Sequence, residues 1–212
     1  FDGLGTKVTV VNRSETLLRH LDDELSSRFN QIARDRFDVR IANGTKLEET
    51  DTGVRLELDN GESIEAEAIL VATGRTPNGD QMDVDKAGIE LLADARVSTD
   101  EFGRTTAEGV WALGDVSSPY MLKHVANAET RAVQHNLLHP EDLRPLPHDN
   151  VPAAIFTHPQ IATVGLTEKQ ARQKGFDVTV KVQNFGDVAY GWAMEDHTGI
   201  CKLVAVSYTH LR

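Results

Sequence analysis

The amino-terminal part of the chain contains a strand, a helix and a second strand in succession, and this order constrains the fold more than any other feature. Residues 7–12 form a β-branched run, which predicts a buried strand. Apolar residues recur at helical spacing across residues 21–36, and acidic residues 22–24 occupy the first turn, where they complement the helix dipole. A short strand at residues 39–41 follows. The order indicates a βαβ unit, and we expect an α/β fold.

More strands are predicted after this unit. Residues 54–59 and 63–66 alternate in polarity around an Asn60-Gly61 turn, which is a strong hairpin signal. Residues 68–74 form a continuous apolar run, which predicts a strand buried on both faces. A loop-rich section then extends to residue 105.

The composition is that of a folded, acidic chain. The 212 residues are 40% hydrophobic, so the chain can bury a core. A net charge of −11 and a sequence pI near 5.1 argue against a nucleic-acid binder, which is usually basic. No apolar run approaches the roughly 20 residues that a membrane helix needs, so we expect no membrane partner.

The cysteine count and the first residue bear on location. Cys201 is the only cysteine, which rules out an internal disulfide and favours a reducing, cytoplasmic compartment. It stands in an apolar run predicted to be a strand, so we expect a packed small hydrophobe rather than a nucleophile. The chain begins at Phe1 rather than Met, and we expect its natural amino terminus to lie upstream.

Residues 106–115 carry the strongest functional signal. An apolar strand at residues 110–113 is predicted to end at Gly114 and Asp115. Gly114 would let a ligand approach the backbone, and Asp115 would present a carboxylate at the carboxyl end of a strand, where open α/β sheets bind ligands. An ionised carboxylate accepts hydrogen bonds from sugar or ribitol hydroxyls. The alternative is a strand that merely stops at a Gly-Asp turn.

A helix predicted over residues 121–138 begins just after this motif. Its amino end has free N–H donors and positive potential, which favour the electron-rich edge of a reduced flavin. Lys123 and His124 could add to this potential or could face solvent. The residues predicted to meet a cofactor here are Leu122, Lys123, His124, Val125 and Ala126.

The same helix carries His135 and His139 one turn apart. Such a pair can bind zinc, but no third ligand or glutamate-containing signature accompanies it. We therefore expect no metal site.

A second type of domain is predicted beyond a proline-rich linker at residues 145–152. A strand at residues 153–157 precedes a helix whose start has a capping-box signature in Thr167 and Gln170. An alternating strand at residues 176–182 follows. The order indicates an α+β domain used for association.

The end of the first strand carries candidate nucleotide ligands, namely Asn12, Arg13, Ser14 and Arg19. In dinucleotide folds an acidic residue at this position binds the ribose of NAD, whereas arginine accommodates the 2′-phosphate of NADP. Arg13 and Arg19 could grip one phosphate from two sides. The alternative is a pair of solvated surface arginines.

Gly74 and Arg75 follow the apolar run at residues 68–74. Gly74 would allow a tight turn, and Arg75 could pair with a cofactor phosphate. A plain turn at a strand end explains both residues almost as well.

In these motifs the chain resembles the FAD-dependent pyridine nucleotide–disulfide oxidoreductases. The matching stretches, in order, are residues 8–13 with Arg19, residues 72–78, residues 106–115, and residues 156–168. Within the family, residues 12–22 and 122–127 are most similar to the mycothione reductases. Glutathione reductases, mercuric reductases and lipoamide dehydrogenases remain alternatives, although lipoamide dehydrogenases have an acidic residue at the position of Asn12.

The resemblance implies a fold with two dinucleotide-binding domains, for FAD and NADPH, followed by the start of an α+β dimerisation domain. It implies that residues 1–76 complete the NADP(H)-binding domain, residues 77–150 belong to the FAD-binding region, and residues 151–212 begin the interface domain. NADPH would reduce FAD, and the flavin would reduce a cysteine pair that acts on a small-molecule disulfide, with mycothione expected, in a homodimer.

The resemblance also implies that the chain is an internal fragment. The family's redox cysteine pair would lie upstream of Phe1 and its His-Glu acid-base pair downstream of Arg212, so no catalytic residue is assigned here. The fragment alone is expected to be inactive, and a non-catalytic nucleotide-binding or dimerisation module is the further alternative. Residues 206–212 depart from the family pattern, which indicates truncation or foreign residues.

Overall fold

The computed structural model describes residues 1–206, so nearly all of the departing stretch at residues 206–212 lies outside the described residues. The chain divides into two compact units. One contains residues 1–71 and the described residues from 152 onward, and the other contains Ala72–Val151. The assignment of residues 1–76, 77–150 and 151–212 to three functional domains stays a prediction.

The predicted βαβ arrangement is present in the first unit. Strand β1 (Thr9–Asn12) pairs in parallel with β2 (Asp38–Ile41), and helix α1 (Asp23–Arg36) connects them. Helix α1 buries Phe29 and Ala33, as its apolar spacing predicted, and also buries Ser26, which that spacing did not include. The helix begins two residues later than predicted because Asp22 accepts a hydrogen bond from the Glu24 N–H and is the N-cap.

A three-stranded antiparallel sheet follows, with β3 (Gly44–Thr50), β4 (Gly53–Leu58) and β5 (Ser63–Ala66) in that order. The Asn60-Gly61 hairpin between β4 and β5 is confirmed, and Gly61 has a φ of 86°. Strand β3 was not predicted, because its sequence is mostly charged and polar and its exposed face gives no apolar alternation.

The prediction of a buried strand at residues 68–74 is wrong. These residues form irregular, exposed chain, and the side chains of Leu70 and Val71 are 73% and 68% exposed. A strand needs backbone partners as well as apolar side chains. Within residues 1–206 no strand pairs with this run and no helix covers it.

The second unit is built around helix α2 (Lys123–Leu138), with short 3₁₀ helices at Asn78–Gln81, Val84–Ala87 and Gly114–Val116. The prediction of a strand at residues 110–113 is wrong, because the only strand-like pairing there is an isolated bridge between Arg104 and Trp111. The Thr105 N–H donates to the Val110 carbonyl and the Ala112 N–H donates to the Gly103 carbonyl, so the pairing is confined to this short loop.

The carboxy-terminal segment contains two antiparallel pairs, β6 (Ala153–Ile155) with β7 (Ile161–Thr163) and β8 (Val178–Asn184) with β9 (Ile200–Val206). Along the chain, helix α3 (Glu168–Gln173) lies between β7 and β8. A 3₁₀ turn at Phe185–Asp187 and helix α4 (Ala189–Ala193) lie between β8 and β9. The predicted α+β character is confirmed.

Two local predictions in this segment have opposite outcomes. The capping box is confirmed, since the Gln170 N–H donates to Thr167 Oγ1 at 3.2 Å and the Thr167 N–H donates to Gln170 Oε1 at 3.0 Å. The prediction that Cys201 is packed is wrong, because its side chain is exposed on β9. Successive residues of a strand face opposite sides, and Cys201 lies on the open side of the β8–β9 pair.

Within residues 1–206, none of the helices combines the length and apolar content that crossing a membrane requires.

The capping box makes α3 sensitive to Thr167. We expect Thr167→Ala in the full-length protein to raise the hydrogen-exchange rate of the Gln170 amide roughly fivefold, as loss of an N-cap typically does. Thr167→Ser should retain the wild-type rate, and Thr179→Ala on the exposed side of β8 is the matched control. Equal exchange in all variants would contradict this role.

Candidate functional site

The predicted Gly114–Asp115 motif forms a tight 3₁₀ turn in the second unit. The Ser117 and Ser118 N–H groups both donate to the Gly114 carbonyl, at 3.0 and 2.7 Å. Gly114 is buried and has a φ of 71°, a conformation that other residues adopt only with strain. A Cβ there would lie 3.5 Å from the Cβ of Ala126. Glycine is therefore required by conformation, and the turn abuts the first turn of α2.

The buried carboxylate of Glu129 on α2 holds this turn in place. Its side chain is 0% exposed, and Oε2 accepts a hydrogen bond from the Gly114 N–H at 2.6 Å. Oε1 lies 2.6 Å from His148 Nε2, and the Ser118 hydroxyl donates a further hydrogen bond. We call Gly114, Ser118, Glu129 and His148 the Glu129 cluster. It ties the turn to α2 and to the segment that carries His148.

His148 is itself oriented by Tyr120. The Tyr120 hydroxyl donates to the His148 carbonyl at 2.9 Å, and the two rings meet edge to face with centroids 5.2 Å apart. The imidazole therefore has a fixed direction toward Glu129.

The Glu129 carboxyl stays ionised despite its burial. Burial by itself raises the pKa of this carboxyl, but hydrogen bonds from His148, the Gly114 N–H and Ser118 outweigh it and hold the pKa below the usual 4.5. An ionised carboxylate suits this position because all its partners can donate hydrogen bonds.

Glu129 was not predicted from the sequence, although a signal was present. The buried residues Val125, Glu129 and Val133 stand at intervals of four on α2, so Glu129 interrupts an otherwise apolar stripe. A charged residue in such a stripe needs compensating donors. These donors come from residues 114, 118 and 148, which the helical spacing alone cannot identify.

Asp115 points away from this cluster into solvent. Its side chain is 60% exposed, and Arg75 Nη1 lies 4.0 Å from its Oδ2. Arg75 is 72% exposed, and Gly74 has a φ of 131° with open space around it. The structure therefore brings the predicted residues Arg75 and Asp115 together and leaves both accessible to a ligand.

The predicted amino-terminal residues of α2 lie beside the same turn. Leu122 is the N-cap, and its carbonyl accepts the Ala126 N–H at 3.0 Å. Lys123 and His124 are exposed, whereas Val125 is buried in the core of the unit. Val125 therefore fixes the helix, while the exposed residues before it face outward beside Gly114.

The other predicted residues lie on the loop after β1 in the first unit. Asn12 ends β1, and its Nδ2 donates to the Ser14 carbonyl at 2.5 Å. Arg13 and Arg19 are exposed, and neither forms an ion pair with another residue in the described part of the chain. Their guanidinium groups are thus available for an anion from outside the chain.

This loop has defined anchors on α1. Asn30 Nδ2 donates to the Leu17 carbonyl at 2.9 Å, and Asn30 Oδ1 accepts from the Leu17 N–H at 2.8 Å. The Ser26 hydroxyl also donates to the Leu17 carbonyl, at 2.9 Å. Sequence reasoning missed Asn30, because a polar residue on a half-exposed helix carries no distinguishing signal.

The predicted site residues thus fall into two groups, and their cofactor roles stay predictions. Over residues 1–206, no three His, Cys, Asp or Glu side chains converge as a metal site would require. The His135 and His139 rings stack with centroids 4.7 Å apart, and His135 Nε2 lies 2.8 Å from the Asp142 carbonyl.

Two family models match the chain. The model described as pyridine nucleotide-disulphide oxidoreductase matches residues 1–132, and the model of that family's dimerisation domain matches residues 151–211.

Several curated relatives are similar along nearly the whole chain. Mycothione reductase of Mycobacterium tuberculosis is 54% identical over 209 residues, which are 96% of this chain and 45% of that protein. Mercuric reductase of Lysinibacillus sphaericus is 33% identical, over 99% of this chain and 39% of that protein. Glutathione reductase of Burkholderia cepacia is 32% identical, over 96% of this chain and 46% of that protein. The chain spans less than half the length of these relatives.

Solved structures show the same fold. The HOCl-induced flavoprotein disulfide reductase RclA from Escherichia coli is 26% identical with a TM-score of 0.87, covering 97% of this chain and 47% of that one. LpdA from Mycobacterium tuberculosis is 24% identical with a TM-score of 0.88, and the match covers 98% of this chain and 46% of that chain. At this identity the likeness supports the fold alone.

The Glu129 cluster predicts a pH-dependent effect on stability. In the full-length protein we expect Glu129→Gln to lower the free energy of unfolding by about 1–3 kcal/mol near neutral pH, because the amide group faces donors that need an acceptor. Since the folded pKa lies below 4.5, the carboxylate's contribution is present above that pH and is lost as the pH falls through the folded value.

The difference between wild type and Glu129→Gln should therefore shrink below about pH 4.5 in thermal unfolding. Glu141→Gln, at an exposed position, is the matched control. A difference that persists unchanged into acid would contradict this assignment.

Proposed function

The chain belongs to the pyridine nucleotide-disulphide oxidoreductase family, and from this premise we propose that the protein containing it is an NADPH-dependent FAD flavoprotein that reduces mycothione to mycothiol. The observation that carries the substrate is the 54% identity with mycothione reductase over 96% of the chain. Mercuric and glutathione reductases, at 33% and 32%, are less similar over comparable lengths.

The proposal concerns the whole protein. The chain spans 45% of mycothione reductase, and we assign no catalytic residue within the 212 residues. We expect these residues alone to lack the activity, because the family's redox cysteines and acid-base pair are not among them. Residues 1–76, 77–150 and 151–212 are proposed as parts of the NADP(H)-binding, FAD-binding and dimerisation domains.

The residues around Gly114 fit a flavin nucleotide. Gly114 is buried against the first turn of α2, and Asp115 is exposed beside it with Arg75 at 4.0 Å. Asp115 would accept hydrogen bonds from ribitol hydroxyls, and Arg75 would neutralise a phosphate. The amino end of α2, residues 122–126, supplies N–H groups and positive potential toward an electron-rich ring.

The chemistry that FAD and NADPH supply when bound is the transfer of two electrons toward a disulfide. This chain's part in that chemistry is positioning. Glu129 holds the Gly114 backbone through its hydrogen bond to the Gly114 N–H. The position of the neighbouring Asp115 backbone is therefore fixed, although the Asp115 side chain is exposed. Such preorganisation lowers the ordering cost of ligand binding.

The loop after β1 fits NADPH in preference to NADH. No carboxylate stands at the end of β1, where an NAD ribose would need one, and Arg13 and Arg19 are exposed without ion partners within the described residues. A 2′-phosphate would satisfy both guanidinium groups.

Residues 151–211 match the family's dimerisation domain, and we propose a homodimer on that basis. We further propose a cytoplasmic location.

The purified full-length protein should be a dimer by sedimentation and should oxidise NADPH when mycothione is added. Arg13→Ala with Arg19→Ala should raise the KM for NADPH roughly 10- to 100-fold and leave the KM for NADH nearly unchanged, because only NADPH carries the 2′-phosphate. Arg55→Ala on β4 is the matched control. Activity with glutathione disulfide, mercuric ion or lipoamide in place of mycothione would overturn the substrate assignment.

Flavin retention tests the Gly114–Asp115 turn. We expect Gly114→Ala and Asp115→Asn to weaken FAD binding about tenfold or more, because the first strains the backbone and the second removes a charged acceptor. The ratio of flavin to protein absorbance after dilution and filtration measures this loss. Asp149→Asn, at an exposed position of the same unit, is the control, and full flavin content in both variants would contradict the role.

A further inference from the structure

We propose that Lys202 is a positioning residue for the pyridine nucleotide: it holds the amino end of α1 and thereby sets where Arg19 stands relative to Arg13. The inference rests on the proposed function, because it takes these arginines as the 2′-phosphate site. Lys202 lies on β9, far along the chain from the loop that carries them.

Lys202 is a nearly buried cation between carboxylates. Its side chain is 9% exposed, and Nζ lies 2.8 Å from Asp22 Oδ1 and 2.9 Å from Glu168 Oε2. Glu24 Oε2 is farther away, at 3.7 Å. We call Asp22, Glu24, Glu168 and Lys202 the Lys202 cluster. Lysine is seldom buried unless it is paired, and here three elements, α1, α3 and β9, share one ammonium group.

Asp22 accepts backbone hydrogen bonds from two helices in this cluster. Its Oδ1 accepts from the Glu24 N–H at 3.1 Å, which caps α1, and its Oδ2 accepts from the Glu168 N–H at 3.2 Å, at the start of α3. One carboxylate therefore bonds the first turns of two helices, and Lys202 balances its charge. Without that charge, a carboxylate only 11% exposed would be left with backbone donors alone.

Lys202 and Asp22 remain charged. Burial by itself lowers the pKa of Lys202, but Asp22 and Glu168 outweigh it and raise that pKa above 10.5. Burial likewise raises the pKa of Asp22, but the hydrogen bonds from Lys202, Glu168 and Glu24 hold it below 3.8. The ion pairs are thus present throughout the neutral range.

Arg19 lies in a short segment, residues 17–22, whose two ends are fixed to α1. Leu17 is held by Asn30 and Ser26, and Asp22 is the N-cap. Between them the Leu21 N–H donates to the Leu18 carbonyl at 3.0 Å. Arg19 must therefore move with the amino end of α1.

Arg13 has a different support. It directly follows β1, whose position is set by the parallel pairing with β2. The separation of the two arginines thus depends on how α1 is held against the strands, and Lys202 holds α1 from the carboxy-terminal segment. A bidentate grip on one phosphate needs that separation to be fixed.

A purely structural role for Lys202 has a different signature. It would lower the amount of folded protein and change the kinetics with NADPH and NADH alike. A positioning role changes only the contact to the 2′-phosphate, which NADH lacks.

The experiment uses the full-length holoenzyme with Lys202→Met and, as a matched control, Lys46→Met at an exposed lysine of β3. We expect Lys202→Met to raise the KM for NADPH roughly tenfold, while the KM for NADH and kcat at saturating NADPH stay within about twofold. Lys202→Arg, which can serve both carboxylates, should restore most of the wild-type KM.

A double-mutant cycle makes the test specific to Arg19. In an Arg19→Ala background Lys202→Met should cause no further rise in the KM for NADPH. Additive effects with Arg19→Ala would overturn the inference.

If Lys202→Met does not fold, Asp22→Asn replaces it, because asparagine still caps α1 but removes the charge. Hydrogen exchange at residues 13–22 should then be faster than in wild type, and unchanged exchange would overturn the inference.

A wild-type enzyme without NADPH preference would overturn the proposed function and the inference with it. A preference that depends on Arg19 but not on Lys202 would overturn the inference alone.

Discussion

The buried carboxylate of Glu129 is the constraint on which the candidate flavin site depends. A charge removed from water must be compensated by donors, and here these come from His148, Ser118 and the Gly114 backbone. Satisfying one buried group therefore fixes three separate parts of the chain against each other. The Gly114 N–H has one partner and one direction as a result, and Asp115 takes its position from that backbone.

Asp22 has the corresponding role in the other unit. It is nearly buried, ionised and bonded to the first turns of α1 and α3, with Lys202 as its counter-charge. In both units a buried ionised group holds the backbone, and exposed charges such as Arg19 and Asp115 project from it. This division has a physical basis, because a saturated carboxylate cannot also bind a ligand, whereas an exposed charge keeps its hydrogen-bonding capacity.

The run at residues 68–74 illustrates the limit of reasoning from periodicity. Its apolar, β-branched character is that of a buried strand, yet residues 69–71 are exposed. Burial on both faces is a property of the surrounding sheet and helices rather than of the run itself. The hairpin at Asn60-Gly61 and the capping box at Thr167 succeed because their partners lie within a few residues.

The sequence by itself determined the fold class, the βαβ start, the hairpin, the α3 cap, the α+β carboxy-terminal segment and the family, because local spacing and contiguous motifs encode them. Only the tertiary structure decided that Glu129 supports Gly114 and that Lys202 reaches Asp22. These contacts join residues up to 180 positions apart, and no local pattern specifies which buried donor and acceptor will meet. The pairing follows from burial, since each charge must find its partner once the helices have packed.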